Sequence, residues 1–228
     1  MTVTDPAHLV DPERARITLD GRAVQFEPRV YVLLNKPRGP ISAVTDPRGR
    51  PTVVDLVEPA GRRLYPAGRL DADTEGLLLI TNDGELALRL THPRYGVSKV
   101  YQAEVVGRPS SESLRRLEQG VALEDGPAAA SRARLLRGGA DRSLVEVTVH
   151  AGRKRMVRRM LQAVGHPVVA LRRVQVGPLT LGDLRPGEWR ELTAEELAGL
   201  WQAANSAAPQ REAEGRGRGN RMGDGDAG

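Results

Sequence analysis

Gly76-Leu-Leu-Leu-Ile80 is an uninterrupted apolar run set between two strongly polar segments. It is far shorter than the ~18–20 apolar residues that cross a bilayer, and a bounded run of this length reads as a buried strand. Val30-Tyr-Val-Leu-Leu34 reads the same way and ends in a turn-rich loop, Asn35-Lys-Pro-Arg-Gly39. The remaining patterns mix strands and helices without a strict strand–helix–strand repeat, which predicts an α+β fold around a mixed sheet.

Further elements follow from period and punctuation. Arg16–Leu19 and Arg22–Val24 flank Asp20-Gly21, which suits a hairpin with a type I′ turn. Thr52–Val57 reads as one or two helical turns. A helix begins around Asn82-Asp-Gly-Glu85, with a polar cap followed by Glu85, and Pro93 forbids its continuation. Strands are expected at Lys99–Gly107, at Leu144–Val149 with Val145, Val147 and Val149 on one face, and at Val168–Val176. Ser111–Gln119 is a helix ended by Gly120, and Thr193-Ala-Glu-Glu196 is a capping box for a last helix ending near Ala204. Arg155–Val164 is an amphipathic helix whose Met156, Met160, Leu161 and Val164 share a face, with Arg155, Arg158 and Arg159 projecting elsewhere.

Composition narrows the function classes. Hydrophobic residues at 39% and charged residues at 28% give an ordinary globular balance. With no cysteine, neither disulfides nor thiol-held metal can form, and His8, His92, His150 and His166 lack ligand spacing. The opening residues carry no secretory pattern. A cytoplasmic protein without structural metal is expected.

The net charge is +5. From Pro209 onward four arginines balance four acids, so the excess lies in the folded part. It is densest in Gly152-Arg-Lys-Arg-Met-Val-Arg-Arg159, where five of eight residues are basic. Such a run is either a solvated helix face or a phosphate-binding surface.

The densest polar cluster is Gly68-Arg-Leu-Asp-Ala-Asp-Thr-Glu-Gly76, directly ahead of the buried strand. Asp71, Asp73 and Glu75 could bind metal or do acid–base work, or Asp71 could simply cap a turn. Spacing leaves these readings open.

This loop, continued to Leu77-Leu-Leu-Ile-Thr-Asn-Asp-Gly84, resembles the motif of the pseudouridine synthases, in the form of the RsuA/RluB branch acting on ribosomal RNA. Tyr31–Gly39, Thr91-His-Pro-Arg-Tyr-Gly-Val-Ser-Lys-Val-Tyr101, Gly152–Met160, Gly165–Leu179 and Gly187-Glu-Trp-Arg190 are similar to its further motifs. The resemblance implies a mostly antiparallel sheet flanked by helices around an RNA-binding cleft. It implies that Asp71 is the catalytic carboxylate, that Tyr101 stacks on uracil, and that Arg158 pairs with Asp71. Arg69 would position the nucleotide, Leu171 would wall the uracil pocket, and Lys99 would reach a phosphate or lie solvated. Arg153, Arg155 and Arg159 would meet RNA phosphates. No cofactor is implied, since substrate and product are isomers.

Residues 1–26 resemble the end of an S4-type RNA-binding module, residues 27–204 the catalytic domain, and 205–228 form a Gly/Arg-rich tail expected to be disordered. Met156 stands where many relatives have glutamine. The loop and the Leu179–Trp189 segment favour 23S over 16S ribosomal RNA, acted on by a monomer. A non-catalytic RNA-binding factor and a glycosidase using Asp71 and Asp73 are the rivals from other classes.

Overall fold

Alternation along two strands explains the centre of the fold. A computed structural model describes residues 17–24, 27–57 and 62–206, together with residue 3. In chain order the elements are β1 (Thr18–Leu19), β2 (Arg22–Ala23), β3 (Tyr31–Lys36), β4 (Tyr65–Ala67), β5 (Thr74–Thr81), α1 (Gly84–Thr91) and β6 (Lys99–Val106). There follow α2 (Ser111–Gln119), β7 (Val121–Leu123), β8 (Gly126–Ala128), β9 (Arg132–Arg137), β10 (Arg142–Val149) and α3 (Met156–Ala163). The last are β11 (Val168–Val176), β12 (Leu179–Thr180), β13 (Trp189–Glu191) and α4 (Ala194–Ser206).

β3 and β5 pair in antiparallel register, Leu34 opposite Leu78 and Leu33 opposite Leu79. Val32, Leu34, Leu78 and Ile80 face one core, which α2 and α3 cover with Leu117, Met160 and Leu161. Leu33, Leu77 and Leu79 face a second core, covered by Leu86 and Leu90 of α1 and by Leu200 and Ala204 of α4. Both faces of the run are buried, so it carries no polar residue. Each such fully buried leucine contributes about 1.5–3 kcal/mol.

The central sheet runs β13-β3-β5-β11-β6-β10-β9, with β4 also on β5 and β12 on β11. Every pairing in it is antiparallel except β5 with β11. The expected mixed, mostly antiparallel α+β sheet is therefore the observed fold. The hairpin β1–β2 has positive φ at both Asp20 and Gly21, as a type I′ turn requires. Most of the S4-like segment, and residues 207–228 of the expected tail, lie outside the described residues.

Two local expectations are corrected. Thr52–Val57 is not helical: Ile41 bridges Thr52 in parallel, and the Val53 N–H donates to Ile41 O at 2.9 Å. These backbone groups are satisfied across the chain, and Val53 is driven fully into the core. Asn82 does not cap α1. Its side chain accepts from Val30 N and donates to Pro28 O, while Asp83 accepts from Glu85 N and Leu86 N. By contrast the capping box at α4 forms as read, with Glu196 N donating to Thr193 Oγ1 and Thr193 N to Glu196 Oε2.

Two lysines are buried. Burial pushes both Lys36 and Lys99 down to about 8 from 10.5, for Lys36 against the pull of Asp73, Asp71 and Glu75. The unfolded chain thus binds more protons between those values, so their contribution to stability grows as pH rises through that window. Tyr31, pushed up to about 12 by burial and by Asp83, opposes the gain above its ordinary value of 10.0. Denaturant unfolding should therefore show stability rising from pH 8 towards pH 10, and rising less in Lys99→Met. Equal slopes in the two proteins would contradict this account.

Candidate active site

β3 takes one edge of β5 along its length, so β4 and β11 must share the other. β4 pairs with Thr81–Leu79, and β11 pairs with Thr74–Gly76. A cavity of about 420 Å³ opens where these strands part, lined by Ala67 of β4, Leu79 of β5 and Leu171 and Arg173 of β11. The loop Gly68–Asp73 leaves β4 across this opening.

The loop is held from three directions. Leu70 N donates to Ser42 Oγ, which donates back to Leu70 O, at 3.0 and 2.9 Å. Gly39 N donates to Ala72 O, and Thr74 N closes a turn onto Asp71 O. Beneath the loop, Lys36 Nζ donates to Pro37 O at 2.9 Å, Thr74 O at 3.0 Å and Ala72 O at 3.5 Å. A buried ammonium with three carbonyl acceptors is fully satisfied, and it fixes the backbone that presents Asp71. The sequence signal for Lys36 is a lysine closing a strand whose Val32-Leu-Leu34 centre is apolar.

Asp71, Arg69, Lys99, Tyr101, Leu171, Arg153 and Arg155 all line the cavity. Tyr101 and Leu171 are 9% and 6% exposed and share one face of β6 and β11. Asp71 is half-exposed at the mouth.

The carboxylates of the loop diverge rather than cluster. Glu75 pairs with Arg38 at 2.7 Å, and Asp73 takes a two-pronged contact from Arg155 at 3.1 and 3.3 Å. Arg155 reaches Asp71 only at 3.9 Å. Among the described residues no group of His, Cys, Asp and Glu is placed to hold a metal ion.

The expected Arg158 contact is redirected. Arg158 donates to Asp73 O at 3.0 Å and pairs with Asp73 Oδ2 at 3.4 Å, and its helix turns it inward rather than away. Burial lowers its pKa, against the carboxylate of Asp73, which raises it. For Asp73, burial acts to raise the pKa, but Arg155 and Arg158 together hold it below the usual range. Arg155 itself has φ 50, a left-handed conformation costing a non-glycine residue about 1–2 kcal/mol, and stands at the N-terminus of α3.

Arg153 and Arg159 are tied down within the protein. Arg159 grips both oxygens of Asp125 at 2.8 and 2.9 Å. Arg153 binds Asp125 and the main-chain oxygens of Asp125, Gly126 and Pro127. The β7–β8 hairpin, which the sequence reading passed over, thereby braces the cavity wall formed by Gly152–Arg155. Asp125→Ala should speed hydrogen exchange in that wall and in the hairpin while global melting changes little; unchanged local exchange would remove the bracing role. Met156, the glutamine replacement, is buried in the first core and lines the cavity. Arg69 is exposed and, among the described residues, enters no ion pair with Asp73 or Glu75.

A single carboxylate, Asp71, stands at the mouth of a cavity walled by Tyr101 and Leu171 and edged by Arg69, Arg153 and Arg155. Residues 30–163 match the family model of RNA pseudouridylate synthase. An RNA pseudouridine synthase of Aquifex aeolicus, itself uncharacterised, is 45% identical over 195 residues, 85% of this chain and 78% of that one. The ribosomal large subunit pseudouridine synthase B of Bacillus subtilis is 47% identical over 187 residues, 81% and 77% of the two chains. A pseudouridylate synthase crystal structure superposes with a TM-score of 0.68 at 33% identity, covering 77% of this chain and 75% of that one. The chain belongs to the RNA pseudouridylate synthase family, and as such it is an isomerase acting on RNA.

Proposed function

We propose that the protein converts one uridine of 23S ribosomal RNA to pseudouridine, with residues 27–204 as the catalytic domain and Asp71 as the essential carboxylate. The observation that carries the reading is Asp71 at the mouth of a cavity whose wall is Tyr101 and Leu171. The base leaves its stack, at a cost of a few kcal/mol that is least in loops, and lies against Tyr101. Leu171, on the same face of the sheet, walls the pocket beside it. Asp71 then attacks covalently or takes a proton from the sugar while C1′–N1 is exchanged for C1′–C5. Arg158 acts on this carboxylate through Asp73, which it anchors. Arg69 and Arg155 at the mouth meet phosphates, and Arg153 and Arg159 reach RNA only if they leave Asp125.

The large subunit is favoured by the Bacillus subtilis relative named for it. The enzyme works as a cytoplasmic monomer without a cofactor. The test is tritium release from 23S and 16S transcripts labelled at uridine C5. Release from 23S alone is expected; release from 16S alone would reassign the substrate, and release from neither would remove the activity on these RNAs.

A further inference from the structure

Two buried cations of the cavity have no carboxylate to answer them among the described residues. Lys99 and Arg173 are 7% and 4% exposed, and both line the cavity. Their hydrogen bonds go to main-chain carbonyls, Lys99 Nζ to Val97 O at 2.9 Å and Arg173 Nε to Leu77 O at 2.8 Å. Among the described residues neither forms an ion pair, whereas Arg38, Arg155 and Arg158 all do.

Strand register sets the two side chains around the aromatic wall. Arg173 of β11 lies directly across from Tyr101 of β6, and Leu171 lies across from Ala103. Lys99 is two residues before Tyr101 on the same strand, so Lys99, Tyr101, Leu171 and Arg173 share one face. Burial and the neighbouring Arg173 together push Lys99 down to about 8. A buried cation without a counter-charge lowers stability, and here two are kept side by side. Donors fixed in this way suit a negative charge that arises only during the reaction.

Uracil supplies such a charge. It is neutral when bound and becomes an anion when C1′–N1 breaks with the electron pair on N1, the charge spreading to O2 and O4. With the sugar at Asp71, as proposed above, the phosphates of the same nucleotide would fall on the side of the exposed arginines rather than on that of Lys99 and Arg173. We propose that Lys99 and Arg173 form the anion site for the detached uracil, holding its charge between cleavage of C1′–N1 and formation of C1′–C5. C5 then gives an electron pair to C1′, its proton leaves, and N1 takes one up, so the step needs no oxidant, reductant or co-reactant. The inference rests on the functional reading above.

Lys99→Met keeps an unbranched side chain only one atom shorter and removes the charge. Its kcat on 23S transcripts should fall about 10²-fold with KM within about 2-fold, the pattern of an interaction made only at the transition state. Its melting temperature should be no lower than wild type. Lys99→Arg should recover most of the rate. On a transcript carrying 5-fluorouridine, the fluorine stabilises the detached base, so the loss in single-turnover conversion of the target nucleoside should shrink to less than about 10-fold. An equal loss on both transcripts, or a loss in KM with kcat intact as for a phosphate contact, would overturn the proposal. Asp71→Asn separates the two levels. A fully active Asp71→Asn sinks the functional reading, while an inactive Asp71→Asn beside a fully active Lys99→Met sinks the anion site alone.

Discussion

Asp71→Asn is expected to release no tritium above background from 23S transcripts, a loss of at least about 10³-fold. The amide keeps the size and hydrogen-bonding shape of the carboxylate but can neither form an ester with the sugar nor take its proton. Folding should not suffer. Asp71 is half-exposed, its only ion pair among the described residues is the 3.9 Å contact with Arg155, and the loop is held by its backbone through Ser42, Gly39 and Lys36. The expected signature is an unchanged melting curve and unchanged RNA affinity with chemistry abolished. A variant with more than about a tenth of the wild-type rate would show that another group does the work.

Gly76→Ala should be the most damaging single methyl in the described chain. Gly76 has φ +109, and a Cβ there would sit 2.2 Å from Arg173 O and 2.7 Å from Arg173 N. Both neighbours are backbone of β11 and cannot swing aside. Left-handed strain and overpacking together cost about 3–5 kcal/mol, a large share of a total that is about 5–15 kcal/mol. A drop of about 10–15 °C in melting temperature is expected. Gly182 is the control, with φ +60 and open space around its Cβ position, so Gly182→Ala should cost only about 1 kcal/mol. Similar melting temperatures for the two variants would show that the β5–β11 contact is looser than described. The contact matters to the site because this parallel pairing brings Thr74, at the end of the Asp71 loop, against Leu171.

Local chemistry in the sequence determined most of the elements. Ser111–Gln119, ended by Gly120, and Val168–Val176 are found with the bounds read from the sequence. Short strands were harder. β9 reads Arg-Ala-Arg-Leu-Leu-Arg, and it is a strand because β10 offers it an edge, not because of its own pattern. Thr52–Val57 has apolar spacing compatible with a helix, but Ile41 satisfies its backbone first.

The site divides in the same way. Asp71, Tyr101 and Leu171, which line one cavity, could be picked out as candidates because a motif is a stretch of chain, and each belongs to a different stretch whose resemblance is local. Which arginine meets which carboxylate was not legible. Arg155, Arg158 and Arg159 lie within five residues, yet one spans Asp73 and Asp71, one sits beneath Asp73, and one holds Asp125. Helix direction and the hairpin position decide that partition, and both are products of packing. Arg173 shows the limit most plainly. In sequence it is the second of two arginines in a strand, and only the divergence of β11 from β5 leaves Leu77 O for it to cap. The sequence by itself determined the chemistry available and the strands and helices that carry it. The tertiary structure alone decided which charges are neutralised and which are left facing the cavity, because ion pairing depends on distances of a few ångströms that no local pattern specifies.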